Sequence, residues 1–96
     1  MPASLLLYER HVLSSNSFAE LRIWQVPTAV RGSVHGFKYS LALIVSGECV
    51  LRFDNEAGKG DHRHLGETEL SYEFVDPTKL LTDFWAEVDR WQRNEK

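Results

Sequence analysis

The chain changes its hydrophobic period once, and that change constrains its architecture more than any other feature. Between residues 5 and 75, apolar residues recur at every second position in short runs; beyond Asp76-Pro77 they recur at helical spacing. Period two sends successive side chains to opposite faces of a strand, whereas period 3.6 builds one apolar stripe along a helix. Residues 37–46 give the clearest strand, with Tyr39, Leu41, Leu43 and Val45 alternating against Lys38, Ser40, Ala42 and Ile44. Residues 18–26 alternate in the same way and stop at Pro27, which cannot continue a ladder. Residues 5–13 alternate only in part, residues 49–54 and 70–75 give further strands, and a short strand is expected around residues 62–65. Ser14 to Ser17 and Ser46-Gly47-Glu48 are the turns between them.

Asp76 is an N-cap acceptor and Pro77 suits the first helical position. Leu80, Leu81, Phe84, Trp85, Val88 and Trp91 then face inward, leaving Asp83, Glu87, Asp89 and Arg93 outward. The expected fold class is α+β: an antiparallel meander of about five strands with one C-terminal amphipathic helix packed on it. With 96 residues and no repeat or linker, residues 1–96 are expected to form a single domain.

A lone cysteine, Cys49, excludes an internal disulfide and is expected to fill the core of an apolar strand. The apolar runs fall far short of a membrane span, so a cytoplasmic protein with no membrane partner is expected. Residues 65–96 carry eight acids against four bases, and residues 31–64 carry four acids against five bases. A nucleic-acid surface draws its affinity from cations, so only the central third can supply one.

Residues 52–64, Arg-Phe-Asp-Asn-Glu-Ala-Gly-Lys-Gly-Asp-His-Arg-His, concentrate the chemistry-bearing side chains. His62 and His64 lie two apart. On a strand both rings project from one face, with Cα atoms roughly 6–7 Å apart. Two imidazoles so placed suit acid–base catalysis. They also suit metal binding, with Asp54 or Asp61 adding a carboxylate. Both could instead be solvated loop residues. Gly58-Lys59-Gly60 lacks the residues and the following helix of a nucleotide-binding loop, so a hairpin tip is expected. Strand phase puts Arg52 with Asp54 on one face, and His62 with His64 on another. Arg52 and Asp54 can pair structurally, or Arg52 can hold a phosphate while Asp54 orients a histidine. A hairpin of residues 37–46 and 48–55 would bring His35 and Lys38 close to Asp54 and Asn55. Trp24, Tyr39 and Phe53 could stack on bases, but aromatic residues on strands are core residues far more often.

Taken together, Trp24-x-Val26-Pro27, His35-x-Phe37-Lys38-Tyr39, Arg52-Phe53-Asp54-Asn55-Glu56-x-Gly58-Lys59-Gly60-Asp61-His62-Arg63-His64, Tyr72-x-Phe74 and Leu80-Leu81-x-Asp83-Phe84 resemble the TumE-type family of toxin–antitoxin system toxins. The likeness spans about residues 20–91, and its most specific part is Arg-(Tyr/Phe)-Asp-Asn followed by His-x-His; the family commonly has tyrosine at position 53. The resemblance implies a small cytoplasmic toxin neutralised by a cognate helix-turn-helix antitoxin.

The expected function is therefore a toxin acting on RNA as a metal-independent endoribonuclease without a cofactor. His62 and His64 would share the acid and base roles and Asp54 would orient a ring. Arg52, Lys38, Lys59 and Arg63 would bind phosphate, with Asn55 and His35 beside them. Two alternatives use the same chain: a metal-dependent hydrolase built on His62, His64, Asp54 and Asp61, and a non-enzymatic protein-interaction module. A homodimer is compatible with all three.

Overall fold

The computed structural model describes residues 3–94. Six strands, β1 (Ser4–Ser14), β2 (Ser17–Gln25), β3 (Phe37–Val45), β4 (Glu48–Glu56), β5 (Gly60–Leu65) and β6 (Thr68–Ser71), form one antiparallel sheet in the order β1-β2-β3-β4-β5-β6. Helix α1 (Pro77–Asn94) follows. The α+β meander is as expected, with one strand more, because residues 62–65 pair on both sides.

Alternation puts Ala19, Leu21, Ile23, Tyr39, Leu41, Leu43, Leu51 and Phe53 on one sheet face, and α1 lays Leu80, Phe84 and Val88 against them. These buried side chains form the core, at roughly 1.5–3 kcal/mol for each large apolar residue. Helix α1 begins where the sequence places it, with Asp76 Oδ1 accepting the Lys79 N–H at 2.7 Å. Glu87 departs from expectation, since it is buried instead of facing outward. It lies inside the Leu80–Phe84–Val88 stripe and faces the Arg63 guanidinium, 3.6 Å away, which compensates its charge.

Three other expectations shift for local reasons. The incomplete alternation of β1 reflects register shifts between Leu5 and Leu7 and between Val12 and Ser14. Cys49 is exposed, not in the core, because the ladder shifts beside it where Leu43 pairs Leu51 but Ile44 pairs Cys49. The last strand ends at Ser71, so residues 72–75 leave the sheet. Tyr72 packs edge-on against Phe53 and donates to Asp83 at 2.6 Å, while Phe74 stacks on His35. Packing on the core thus replaces strand pairing there.

The β3–β4 turn is Ser46-Gly47, both at positive φ, the geometry that matches the twist of a two-residue hairpin. The β4–β5 tip is held down by the loop between β2 and β3. The Gly58 N–H donates to Arg31 O at 2.6 Å, and Gly32 and Gly60 approach closely enough for a Cβ on Gly60 to sit 2.7 Å from Gly32 O. Both glycines also have positive φ. Gly60→Ala is therefore expected to destabilise the fold by about 2 kcal/mol, through strain and loss of this docking. Urea unfolding would measure it; an unchanged midpoint would contradict the close approach.

Candidate functional site

The β4–β5 register decides which residues of the 52–64 window meet. Asp54 pairs His62 and Arg52 pairs His64. Paired residues point to the same face, so all four side chains form one block, not two separated pairs. That face is the one α1 leaves uncovered. The next strand adds Glu69, opposite His64, and Ser71, opposite His62. On the other side Ser40 pairs Asp54, and Lys38 lies on the same face one step beyond Ser40, exposed.

Although its sheet face is open, the block is tightly filled. The His62 side chain is only 5% exposed, His64 26% and Asp54 10%. The two imidazoles meet edge to face at 4.8 Å. His62 Nδ1–H donates to Gly60 O at 3.0 Å; a carbonyl can only accept, so this bond assigns the Nδ1 proton and leaves Nε2 as the atom available for chemistry. His62 Nε2 lies 2.9 Å from Asp54 Oδ1, off the hydrogen-bonding direction, and 3.4 Å from Glu69 Oε2. His64 Nε2 lies 3.8 Å from the same Asp54 oxygen and 3.9 Å from Glu69 Oε2. Arg52 Nε stands 3.4 Å from Asp54 Oδ2, with its side chain half exposed. Lys59, at the hairpin tip, borders a shallow cleft with His62, Glu69 and Ser71.

Asn55, Asp61 and Arg63 belong to the opposite face. Arg63 pairs with Glu87 of α1. Asp61 accepts hydrogen bonds from Ser33 Oγ (2.6 Å), His35 Nε2 (2.7 Å) and the Tyr39 hydroxyl (2.7 Å). Burial opposes its ionisation, but the bonds from Ser33, Tyr39 and His35 outweigh it and hold its carboxyl below the usual range. Burial and the same carboxylate push the Tyr39 phenol upward. His35 Nδ1 accepts the Phe37 N–H at 3.2 Å, which makes Nε2 the protonated nitrogen in its bond to Asp61. With both nitrogens engaged and its ring stacked on Phe74 at 3.8 Å, His35 acts as a clip for the loop. Asn55, fully buried, accepts the Tyr39 N–H at 3.0 Å and donates to Phe37 O at 2.8 Å.

The window therefore divides by strand phase into two clusters. His62, His64, Asp54 and Arg52 meet on the open face, with Lys38 and Lys59 at its margins. Asp61, His35 and Asn55 fasten the loop and hairpin behind it, so Asp61 cannot join the other carboxylate at the histidines. Glu69 is the residue that sequence reasoning missed. Its signal is the two-residue turn Gly66-Glu67 after Leu65, which pairs Leu65 with Thr68 and so puts Glu69 opposite His64.

Among the described residues no helix is long and apolar enough to cross a membrane. No curated protein and no solved structure matches the chain. The family model described as Toxin TumE matches residues 2–92, nearly the whole length and all of the 52–64 window. The chain belongs to the Toxin TumE family, and so to the toxins of toxin–antitoxin systems, whose general partner is an antitoxin.

Proposed function

We propose that this toxin acts on RNA as a small endoribonuclease and that the open-face cluster carries the chemistry. The observation that supports the reading is the convergence of two imidazoles, a buried carboxylate and a guanidinium on the sheet face that α1 leaves uncovered. Cleavage at a phosphodiester needs one group to take a proton from the attacking hydroxyl and another to give one to the leaving oxygen. His64, the more exposed ring, reaches substrate as the base. His62, fixed through Nδ1 and flanked by Asp54, supplies the acid through Nε2. Arg52 holds the phosphate and balances the charge that develops on it. Lys38 and Lys59 extend the cationic margin along the strands. The cognate antitoxin in this reading is a helix-turn-helix protein.

The test is cleavage of RNA in EDTA by the wild type, His62→Ala and His64→Ala. Cleavage by the wild type and its loss in both variants is expected; equal cleavage by all three overturns the assignment. One observation favours a second reading, a metal-dependent hydrolase at the same atoms. Both Nε2 atoms and Asp54 Oδ1 are buried without hydrogen-bond partners. Loss of wild-type cleavage in EDTA, restored by one divalent metal, would select that reading.

A further inference from the structure

We infer that His62, His64, Asp54 and Glu69 form a binding site for one divalent transition-metal ion of the zinc class. The inference concerns binding and does not rest on the ribonuclease reading; it describes a state in which both Nε2 atoms hold the ion instead of exchanging protons with a substrate. Among the described residues, Asp54, His62 and His64 offer one donor atom each with all three within 4.8 Å of one another. Closeness alone would not make a site. The second observation is that these donors are buried and unpartnered. His62 Nε2, His64 Nε2 and Asp54 Oδ1 are shielded from solvent, lie close together and make no hydrogen bond. A buried polar atom left without a partner is costly, and three so close together are satisfied together by a cation between them.

Glu69 completes the set. Its Oε2 lies 3.4 Å from His62 Nε2 and 3.9 Å from His64 Nε2, while Asp54 Oδ1 lies 2.9 and 3.8 Å from the same two nitrogens. Donors about 2.0–2.1 Å from a tetrahedral ion stand about 3.3 Å apart; these four separations straddle that edge, and the widest spacing within the Asp54, His62 and His64 set, up to 4.8 Å, closes as the ion binds. Two imidazoles and two carboxylates suit zinc, cobalt or nickel better than magnesium or calcium, which prefer all-oxygen shells. The His62 Nδ1–H bond to Gly60 O is the supporting contact that orients a ligating imidazole. Asp54, in turn, is braced from its other oxygen by Arg52 at 3.4 Å. Glu69 is 47% exposed, and it is the ligand that solvent or a substrate oxygen could replace, leaving three protein donors and an open position.

The experiment is calorimetric titration of the purified full chain, freed of metal, with Zn²⁺. The absorption spectrum with Co²⁺ reports coordination geometry. The wild type should bind one ion per chain and give the intense visible bands of tetrahedral Co²⁺. His64→Ala should weaken Zn²⁺ binding by about 100-fold or more, at least the effect of losing a supporting partner. Glu69→Gln should weaken it about 10-fold, as loss of an outer supporting contact does at the low end. His11→Ala, at a surface histidine of β1 paired with Glu9, should leave it unchanged. Because His64 and Glu69 are partly exposed, their variants should stay folded even if His62→Ala does not. No saturable Zn²⁺ binding by the wild type, or binding equal in wild type and His64→Ala, would overturn the site. RNA cleavage plays no part in this readout, so failure of the ribonuclease reading and failure of the metal site are separable.

Discussion

Asp54→Asn is expected to lower RNA cleavage by about 10²–10⁴-fold while leaving the fold intact, the size of effect that losing the carboxylate beside a catalytic imidazole produces. The expectation follows from where the carboxylate sits. It is buried between Arg52 and the two histidines, 2.9 Å from His62 Nε2 and 3.8 Å from His64 Nε2. Asparagine keeps the volume, so the sheet face need not repack, but it removes the negative charge. His62 cannot compensate by turning its other nitrogen forward, because Nδ1–H is held by Gly60 O. Glu69 can reach both rings, but from an exposed position where water screens it. The measurement is the initial rate of cleavage on a defined RNA, with a circular-dichroism melt to establish folding. A folded variant cleaving within threefold of wild type would remove Asp54 from the mechanism. The same substitution also takes one donor from the metal site. Run with and without EDTA, the assay therefore reports which of the two chemistries the carboxylate serves.

How much of this was legible in the sequence depends on which kind of information each residue carried. Period two in residues 37–46 and the Asp76-Pro77 start carried the strands and the helix, because alternation and capping are local. The grouping of the 52–64 residues was not local. Phase within one strand says that Arg52 sides with Asp54, and His62 with His64, yet it cannot say whether the two pairs share a face. That depends on the hairpin register, Asp54 opposite His62, which the three-residue turn Ala57-Gly58-Lys59 sets. The same register removes Asp61 from the histidines and gives it to Tyr39, His35 and Ser33. Glu87 misled for a related reason. A charged residue on an apolar stripe reads as outward until a partner on another element is known, and Arg63 lies 24 positions earlier in the chain. Glu69 was hidden behind a strand whose four residues are all exposed and carry no hydrophobic signature.

Asp61→Ala is expected to lower stability by about 3 kcal/mol near neutral pH, a large share of the roughly 5–15 kcal/mol that a small domain has. Three donors converge on this carboxylate, and two of them, the Tyr39 hydroxyl and His35 Nε2–H, share Oδ2. Alanine leaves both without an acceptor inside the packed loop. Asparagine should cost only about half as much: its oxygen can take the Oδ2 position, and its amide can donate to Ser33, whose hydroxyl can accept. The pH dependence separates this role from a merely steric one. The hydrogen bonds depress the folded carboxyl below the unfolded value of about 3.9, so the unfolded chain binds the proton more readily. The carboxylate's contribution is then fully present above about pH 4 and is lost as pH falls through the depressed folded value. Urea unfolding of wild type and Asp61→Ala should therefore differ most near pH 7 and converge in strong acid. A gap that stayed constant down to about pH 2 would mean that shape, not charge, does the fastening. Because this clip seats the loop on the hairpin that carries His62 and His64, loosening it should also blunt the open-face site, through Gly60, whose carbonyl orients His62 and whose backbone meets Gly32.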